Sequence, residues 1–249
     1  MERKKHPIRS VLFILLLGIF AFSGWKLYEG WGEYRRADQE KARLEQYEPA
    51  SKSGDSKNKN IVELIARYPD VAGWLKLENS TVSYPFVQTE NNEDYLHKTL
   101  EGKVLSAGTL FMDCRNKADF SDFSSIIYGH HMQNGSMFGT LKNFVNQQVY
   151  WDSHKRGWIY LPEYTLELEI FAAITVHESD DTIYSFSYPN SSKKEIFLAH
   201  VKQNANRWRD IGASTNDRFV CLSTCATATS KYRYVLVARV IAHAPSPSK

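Results

Sequence analysis

After Val71 the sequence breaks into short apolar runs that are separated by Gly, Asn and Pro. Eight such runs can be counted: AGWLKL, VSYPFVQ, AGTLFMD, SSIIYGHH, GWIYL, TLELEIFAAITV, RFVCLSTC and YRYVLVARVIAH. Runs of this length between turn residues are typical of β-strands, and many of them in one domain indicate a β-barrel or a β-sandwich. Aromatic residues form 13% of the chain, which also suits strands because rings pack well on a pleated surface. The sequence therefore predicts a mainly β (α+β) domain.

One helix is expected in a late connection between strands. The segment Ser192–Glu195 has the spacing of a capping box. Ile196, Phe197 and Val201 follow it at helical spacing. A shorter helix, ended by Pro69, is predicted just before the first strand.

The N-terminal part of the chain carries a different pattern. Four basic residues precede an uncharged apolar run from Val11 to Trp25, an order typical of a membrane anchor whose basic end stays in the cytoplasm. A cleaved signal peptide is the alternative, because the segment Ala21–Ser23 resembles a cleavage site. Phe20 and Phe22 crowd that site. We expect an uncleaved single-pass anchor, with the rest of the chain outside the cell.

These patterns divide the chain into five segments. They are a cytoplasmic tail at 1–10, a transmembrane signal-anchor at 11–28, a juxtamembrane helix and linker at 29–60, a folded domain at 61–243 and a flexible tail at 244–249. The helix up to Glu48 is rich in charges and is expected to be solvated. The residues from Pro49 to Asn60 are too polar to bury a surface and are expected to form a linker.

The composition of the 249 residues limits the class of protein. Hydrophobic residues make up 43% and charged residues 24%, which excludes a polytopic membrane protein and a disordered chain. The net charge of +3 comes from 31 Lys and Arg against 28 Asp and Glu, so no basic field indicates nucleic-acid binding. Residues 1–60 hold 12 basic and 8 acidic residues, a difference of +4. The basic excess therefore belongs to the N-terminal segment and does not indicate an anionic partner.

The three cysteines cannot all be paired within one chain. Cys221 and Cys225 share one predicted strand, where four residues span about 13 Å, whereas bridged Cα atoms lie within about 7 Å. A disulfide between them is therefore not expected. Cys225 ends its strand beside a loop, which is compatible with either a reactive nucleophile or an inert thiol. Cys221 and Cys114 are expected to be small buried hydrophobic residues.

A cysteine nucleophile needs a proton-transfer partner and a group that stabilises an oxyanion. His130 and His131 end another predicted strand, and Arg233 opens the strand after Cys225. A histidine at a strand end can equally be an ordinary surface residue. The spacing of the His pair completes no zinc motif, and the sequence has neither a GxSxG elbow nor a phosphate-binding loop. His130 precedes Cys225 by 95 residues, the reverse of the order in papain-like enzymes.

The order of several motifs resembles that of the sortases, and of class B in particular. Between Asp70 and Val240 the sequence contains DVAGWLKL, YPFVQ, NEDYL, FMDCRN, YGHHM, GSMFG and LSTC, followed by Arg233 eight residues after Cys225. The resemblance implies a closed eight-stranded sortase-type β-barrel with N-terminal helices and one helix in a late inter-strand connection.

The resemblance also implies the catalytic residues. Cys225 corresponds to the nucleophile that attacks a Thr carbonyl in a sorting motif and forms a thioester. His130 corresponds to the acid/base that protonates the leaving amine, and His131 to a structural neighbour. Arg233 corresponds to the third member, whose fork of donors suits a developing oxyanion. No metal and no cofactor are implied.

The family pattern suggests where the sorting peptide would bind. The expected substrate-binding residues are Asn92, Leu96, Tyr128, Ile183, Tyr184, Ser223 and Thr224. Ser223 and Thr224 could instead satisfy backbone groups at the strand end, and Asn92 could belong to an ordinary polar loop. The segment His177–Tyr188 would be a specificity loop, whose acidic residues suggest either calcium or, as the resemblance implies, a solvated loop.

The implied partners are secreted proteins with a sorting motif, of the Asn-Pro-x-Thr type in class B. The acceptor would be an amine of a peptidoglycan precursor or of a pilin. The enzyme would be held in the membrane of a Gram-positive cell by its N-terminal helix, with its catalytic domain outside. Two alternatives stay open: a thiol peptidase that only hydrolyses, and a catalytically silent, membrane-anchored binding module.

Overall fold

The computed structural model describes residues 7–49, 58–225 and 230–241, and at residues 7–10 and Cys225 it describes the backbone alone. Residues 1–6 of the expected cytoplasmic tail, most of the expected linker and the expected flexible tail at 244–249 lie outside the described residues. The helices are α1 (Pro7–Leu44), a 3-10 turn (Glu45–Tyr47), α2 (Lys59–Arg67), α3 (Leu141–Asn146), α4 (Gln148–Ser153) and α5 (Ser191–Gln203). The strands are β1 (Val71–Leu77), β2 (Ser83–Val87), β3 (Leu110–Met112), β4 (Ser124–Tyr128), β5 (Arg156–Tyr160), β6 (Thr165–His177), β7 (Ala205–Trp208), β8 (Phe219–Cys225) and β9 (Tyr232–Ile241).

Eight strands close into a barrel. Their order is β5-β1-β2-β3-β4-β8-β9-β6, and β6 pairs back onto β5. These eight strands are the eight runs in the sequence, which confirms the predicted mainly β fold and closed barrel. The ninth strand, β7, was not predicted, and it pairs with β6 outside the closed ring.

Two strand pairs in the barrel are parallel, β2 with β3 and β4 with β8. The remaining pairs are antiparallel. Parallel strands end at the same edge of a sheet, so residues that follow β4 and β8 meet there even though they are distant in sequence.

The barrel interior is filled by apolar side chains from its strands. Leu75, Phe86, Ile127, Leu168 and Leu236 belong to this cluster and are buried. Alternate residues of the same strands pack outward, as expected from the period of two in a strand. This alternation explains why the apolar runs are nearly continuous where both faces of a strand are covered.

Helix α1 runs without interruption for 38 residues. Its apolar part is exposed, with Phe20 78% exposed, and among the described helices it is the one that is long and apolar enough to cross a membrane. Its other end packs on the barrel, because Leu44 and Tyr47 are buried in a cluster with Ile61 and Trp74. The expectation that this part of the chain is solvated is therefore wrong at Leu44 and Tyr47.

Helix α5 covers an outer face of the barrel, next to β6 and β7. Phe197 and Val201 are fully buried there, as the helical spacing predicted. The N-cap is Asn190, whose side chain accepts a hydrogen bond of 3.0 Å from the backbone N–H of Lys193. The capping box at Ser192 therefore does not start the helix, because the extended Asn190 begins it earlier.

Candidate active site

The parallel pairing of β4 with β8 brings two distant segments to one edge of the barrel. The register aligns Tyr128 with Ser223, and the backbone N–H of Gly129 extends the ladder by donating to the Ser223 carbonyl at 3.1 Å. His130 follows immediately, and Cys225 ends β8. The backbone register therefore places positions 130 and 225 at the same edge.

Gly129 makes the close approach at this edge possible. A Cβ atom at this position would lie 2.3 Å from Cδ2 of Leu110 and 2.8 Å from Cδ2 of Phe138. These distances are far below van der Waals contact, so a larger residue would displace the turn that carries His130.

The antiparallel pairing of β8 with β9 adds a cation to the same edge. Cys225 and Arg233 form the last pair of this ladder, and Arg233 also pairs with Val176 of β6. Directly paired residues in adjacent strands share a face and lie about 5 Å apart at Cα. The guanidinium of Arg233 is 3.5 Å from the carboxylate of Glu178, measured from Nη2 to Oε2.

His130 is held by the loop before β3. Its Nε2 lies 2.7 Å from the carbonyl oxygen of Leu96, and its ring stacks on His97 with 5.1 Å between centroids. Because a carbonyl only accepts, Nε2 carries the hydrogen, and a neutral ring has Nδ1 as its acceptor. Burial lowers the pKa of His130, and His97 and Arg233 lower it further, although the hydrogen bond to Leu96 acts to raise it. The imidazole is therefore neutral at pH 7.

A cleft of about 390 Å³ opens at this edge. The predicted site residues that line it are Asn92, Leu96, Tyr128, His130, Tyr184, Ser223 and Arg233. The structure thus brings together residues from four separate parts of the sequence.

Two polar contacts hold residues that line the cleft. The hydroxyl groups of Tyr184 and Ser223 are hydrogen-bonded at 3.0 Å. Burial raises the pKa of Tyr184 to about 12, so its hydroxyl stays neutral and able to donate. Asn92 accepts a hydrogen bond of 2.8 Å from the backbone N–H of Cys114 through its side-chain oxygen. Asn92 therefore anchors the segment after β3 as well as lining the cleft.

Two predicted substrate-binding residues do not line the cleft. Ile183 is fully buried in the cluster that includes Phe197 and Val201, so it is a core residue of the loop before α5. Thr224 follows Ser223 in β8, so strand alternation places it on the face opposite to Ser223. The direction of a loop and the face of a strand are set by the fold, so these two positions lie away from the cleft although they neighbour residues that line it.

Four further residues line the cleft and were not predicted: Phe111, Arg115, Gly129 and Glu178. Arg115 holds the fully buried Asp113 with two hydrogen bonds of 2.8 Å, one to each carboxylate oxygen. Tyr128 donates to the same carboxylate at 3.0 Å. The FMDCRN motif contains both residues, but only the fold shows that Asp113 is buried and is paired with an exposed Arg115.

The Asp113–Arg115 pair is linked to the expected specificity loop. Arg115 Nη2 is 3.4 Å from the carbonyl oxygen of Tyr184, and its guanidinium stacks on Phe186 at 4.7 Å. Burial acts to raise the pKa of Asp113, but the hydrogen bonds from Arg115 and Tyr128 outweigh it and hold the pKa below its usual value. Asp113 is therefore a carboxylate that anchors Arg115, and Arg115 anchors the loop.

The other acids of the loop are used differently. Asp180 accepts from the backbone N–H groups of Thr182 and Ile183 and lies 2.7 Å from His200. Its carboxylate thus organises the loop and ties it to α5. Among the described residues, no group of three or more His, Cys, Asp or Glu side chains could hold a metal ion.

The remaining thiols and His131 lie away from the cleft lining. Cys221 is fully buried, as predicted, and burial raises its pKa to about 12. Cys114 is only half-buried, because it lies in the loop after β3. His131 packs edge-on against Tyr234 with 6.3 Å between ring centroids, which fits a structural role.

The whole chain was compared with known proteins and with solved structures. No family model matches the chain. The chain is 31% identical to Sortase B of Listeria monocytogenes serovar 1/2a over 233 residues, which cover 90% of this chain and 92% of the relative. The similarity therefore extends over almost the whole of both proteins.

Solved structures of the same family share the fold. A Staphylococcus aureus sortase B–substrate complex has a TM-score of 0.69 and 28% identity, and the match covers 75% of this chain and 86% of that chain. A class B sortase of Streptococcus pyogenes, involved in pilus biogenesis, has a TM-score of 0.65 and 36% identity, with 72% and 97% coverage.

Proposed function

The chain belongs to the class B sortases and is a sortase transpeptidase, and from this premise we propose that Cys225, His130 and Arg233 carry out its acyl transfer at the barrel edge. The observation that supports this assignment is the convergence of two strand registers. The β4–β8 register leads to positions 130 and 225, and the β8–β9 register pairs 225 with 233. The three residue types are those that thiol-based acyl transfer requires.

The nucleophile is generated by proton transfer within the site. His130 is neutral, with Nε2 bound to Leu96, so Nδ1 is the nitrogen that takes the proton of the Cys225 thiol. The products are a thiolate and an imidazolium. Burial lowers the pKa of His130, which opposes this proton transfer, and the charge of Arg233 favours the thiolate.

Acylation follows in a sorting motif of the Asn-Pro-x-Thr type. The thiolate sulfur attacks the Thr carbonyl carbon, and the guanidinium of Arg233 donates to the oxyanion that develops. The C–N bond then breaks, and the His130 imidazolium gives its proton to the leaving amine. A thioester and a neutral His130 remain.

Transfer regenerates the enzyme. An acceptor ammonium loses one proton to solvent, and its nitrogen attacks the thioester carbon. The C–S bond breaks, the second amine proton passes to His130, and the Cys225 thiolate is restored. The acceptor is an amine of a peptidoglycan precursor or of a pilin, and the role of the Streptococcus pyogenes relative in pilus biogenesis supports the second possibility.

The peptide lies in the cleft between the loop before β3 and the loop before α5. Asn92 and Leu96 belong to the first loop, Tyr184 belongs to the second, and Tyr128 and Ser223 belong to β4 and β8. The mixture of aromatic walls and fixed polar groups suits a short peptide whose backbone must be oriented.

Helix α1 holds the enzyme at the membrane. Its exposed apolar part spans the bilayer as a single-pass anchor, the basic N-terminus stays in the cytoplasm, and the barrel faces the outside. The tether keeps the enzyme where both substrates emerge, which raises their effective concentration.

The test is incubation of the chain with a panel of sorting peptides, with and without a primary amine, followed by mass spectrometry. We expect a cleaved peptide in both reactions and a ligated product when the amine is present. Cleavage without any ligated product would show a thiol peptidase, and neither product would show a silent binding module.

A further inference from the structure

We propose that Glu178 binds the ammonium group of the acceptor at the mouth of the cleft. The inference rests on the transfer reaction proposed above and adds the site of its second substrate. The ligand class is a primary ammonium, whether on a glycine-type α-amine or on the ε-amine of a diamino acid.

Glu178 is fixed close to the reacting groups by its backbone. It follows the last residue of β6, and its N–H donates to the Lys231 carbonyl at 2.8 Å. Val176 is paired with Arg233, which is paired with Cys225. Cys225, Arg233 and Val176 are thus neighbours on three adjacent strands. Glu178 lies two residues after Val176 along the chain, and residues two apart in an extended strand are on the same face.

The charges of the cleft favour an acid as the partner of a cationic acceptor. Arg115, Arg233 and Glu178 are its charged lining residues in the described part of the chain, because His130 is neutral. Arg115 is neutralised by both oxygens of Asp113. Loss of the Glu178 charge would therefore increase the repulsion that a cationic acceptor meets near Arg233.

The carboxylate of Glu178 has capacity for a second cation. Its side chain is 42% exposed, and its contact with Arg233 is 3.5 Å, longer than the 2.7–2.9 Å that is typical of a charge-assisted hydrogen bond. A carboxylate accepts about four hydrogen bonds, so Arg233 leaves room for an ammonium. Asp180 cannot take this role, because its oxygens already bind the loop backbone and His200.

The test is a competition between acceptors for one acyl-enzyme. A sorting peptide is supplied at pH 7 with hydroxylamine, which is neutral, and with a cationic amine. Triglycine amide is the cationic amine in one arm, and the ε-amine of Nα-acetyl-lysine amide in the other. The ratio of the two ligated products is measured, and this ratio is independent of the acylation rate because both acceptors resolve the same thioester.

We expect Glu178→Gln to lower the ratio of cationic to neutral product about twofold to fivefold, the range for losing a partly exposed charged contact. Glu178→Asp should retain part of the preference. Asp181→Asn removes an exposed acid of the same loop that does not line the cleft, and it should leave the ratio unchanged. The arm with the larger loss identifies the type of amine that the site favours.

An unchanged ratio in Glu178→Gln, in both arms, would overturn the acceptor site and leave the transfer reaction standing. Equal loss of both products would show that Glu178 only positions Arg233, and this too would overturn the proposal. Absence of any ligated product from the unmodified chain would refute the transfer reaction itself, so the two failures can be told apart.

Discussion

Arg233 and Cys225 are directly paired across β8 and β9, and Arg233 has a second direct partner in Val176 of β6. The backbone that carries this cation is therefore held by strands on both sides. A cation fixed in this way needs little reorganisation when negative charge develops next to it, which is the condition for electrostatic stabilisation of an oxyanion.

Replacement of Arg233 by Lys should lower kcat/KM for peptide cleavage about 100-fold, because a single ammonium replaces a planar fork of donors. Steady-state cleavage of a fluorogenic sorting peptide measures the effect. Arg239→Lys is the matched control, since Arg239 pairs with Glu169 at the other end of β9. A near-normal kcat/KM in Arg233→Lys would contradict the role of the guanidinium.

Replacement of Cys225 by Ala should abolish cleavage and thioester formation without unfolding the barrel. Intact mass after incubation with peptide reports the acyl-enzyme, and a thermal melt reports the fold. Cys114→Ala is the control, because Cys114 is a half-buried thiol in the loop after β3. A thioester detected in Cys225→Ala would refute the assignment of the nucleophile.

The hydrogen bond between Tyr184 and Ser223 should contribute about 1 kcal/mol to stability. A double-mutant cycle with Tyr184→Phe, Ser223→Ala and the double variant measures the coupling in urea unfolding. Both single variants should also raise KM for the sorting peptide, since both residues line the cleft. Additive effects on stability would mean that this hydrogen bond contributes nothing.

Replacement of Arg115 by Ala should destabilise the chain by about 2–3 kcal/mol at pH 7, because it leaves Asp113 as a buried carboxylate without its cation. In the unmodified chain the pKa of Asp113 is lowered, so its contribution is present above pH 3.8 and is lost as pH falls through the folded pKa. In Arg115→Ala the guanidinium no longer opposes the effect of burial, so this pKa should be higher than in the unmodified chain, and the loss of stability should shrink as pH falls toward 4.

Unfolding free energies of Arg115→Ala and of the unmodified chain, measured at pH 7 and pH 4.5, test whether the loss of stability shrinks at acid pH. The double variant Asp113→Asn with Arg115→Ala carries no buried charge and should recover part of the stability at pH 7. If the difference in unfolding free energy between Arg115→Ala and the unmodified chain were larger at pH 4.5 than at pH 7, the result would contradict this role of Arg115.

Removal of residues 1–28 should leave barrel stability unchanged, whereas removal of residues 1–57 should lower it by about 3 kcal/mol. The second truncation deletes Leu44 and Tyr47, which are buried against Ile61 and Trp74, and each buried side chain contributes about 1.5–3 kcal/mol. Chemical denaturation of the two truncated chains gives the difference. Equal stabilities would show that the end of α1 packs on the barrel without stabilising it.

The strands of the barrel could be predicted because each is an apolar run long enough to be recognised without its partners. Strand β7 (Ala205–Trp208) could not, because its sequence ANRW has neither an apolar run nor alternation and it becomes a strand only by pairing with β6. The N-cap of α5 was missed for a related reason, since both Asn190 and Ser192 are residue types that cap helices.

The candidate site was predictable only where residue type and motif order pointed to it. Glu178 and the Asp113–Arg115 pair acquire their roles from the loops that fold over the barrel edge, and no local spacing indicates this. Ile183 illustrates the converse, since it lies next to Tyr184 in sequence but is buried in the core. Proximity along a loop does not decide which side chains reach a cleft.

The parallel pairing of β4 with β8 has a consequence for how the enzyme matures. His130 and Cys225 are 95 residues apart in the chain, and contacts of such long range form late because the loop between them must first be closed. The proposed catalytic pair is therefore assembled only when β8 has joined β4, and the closure of the barrel and the assembly of the site are one folding event.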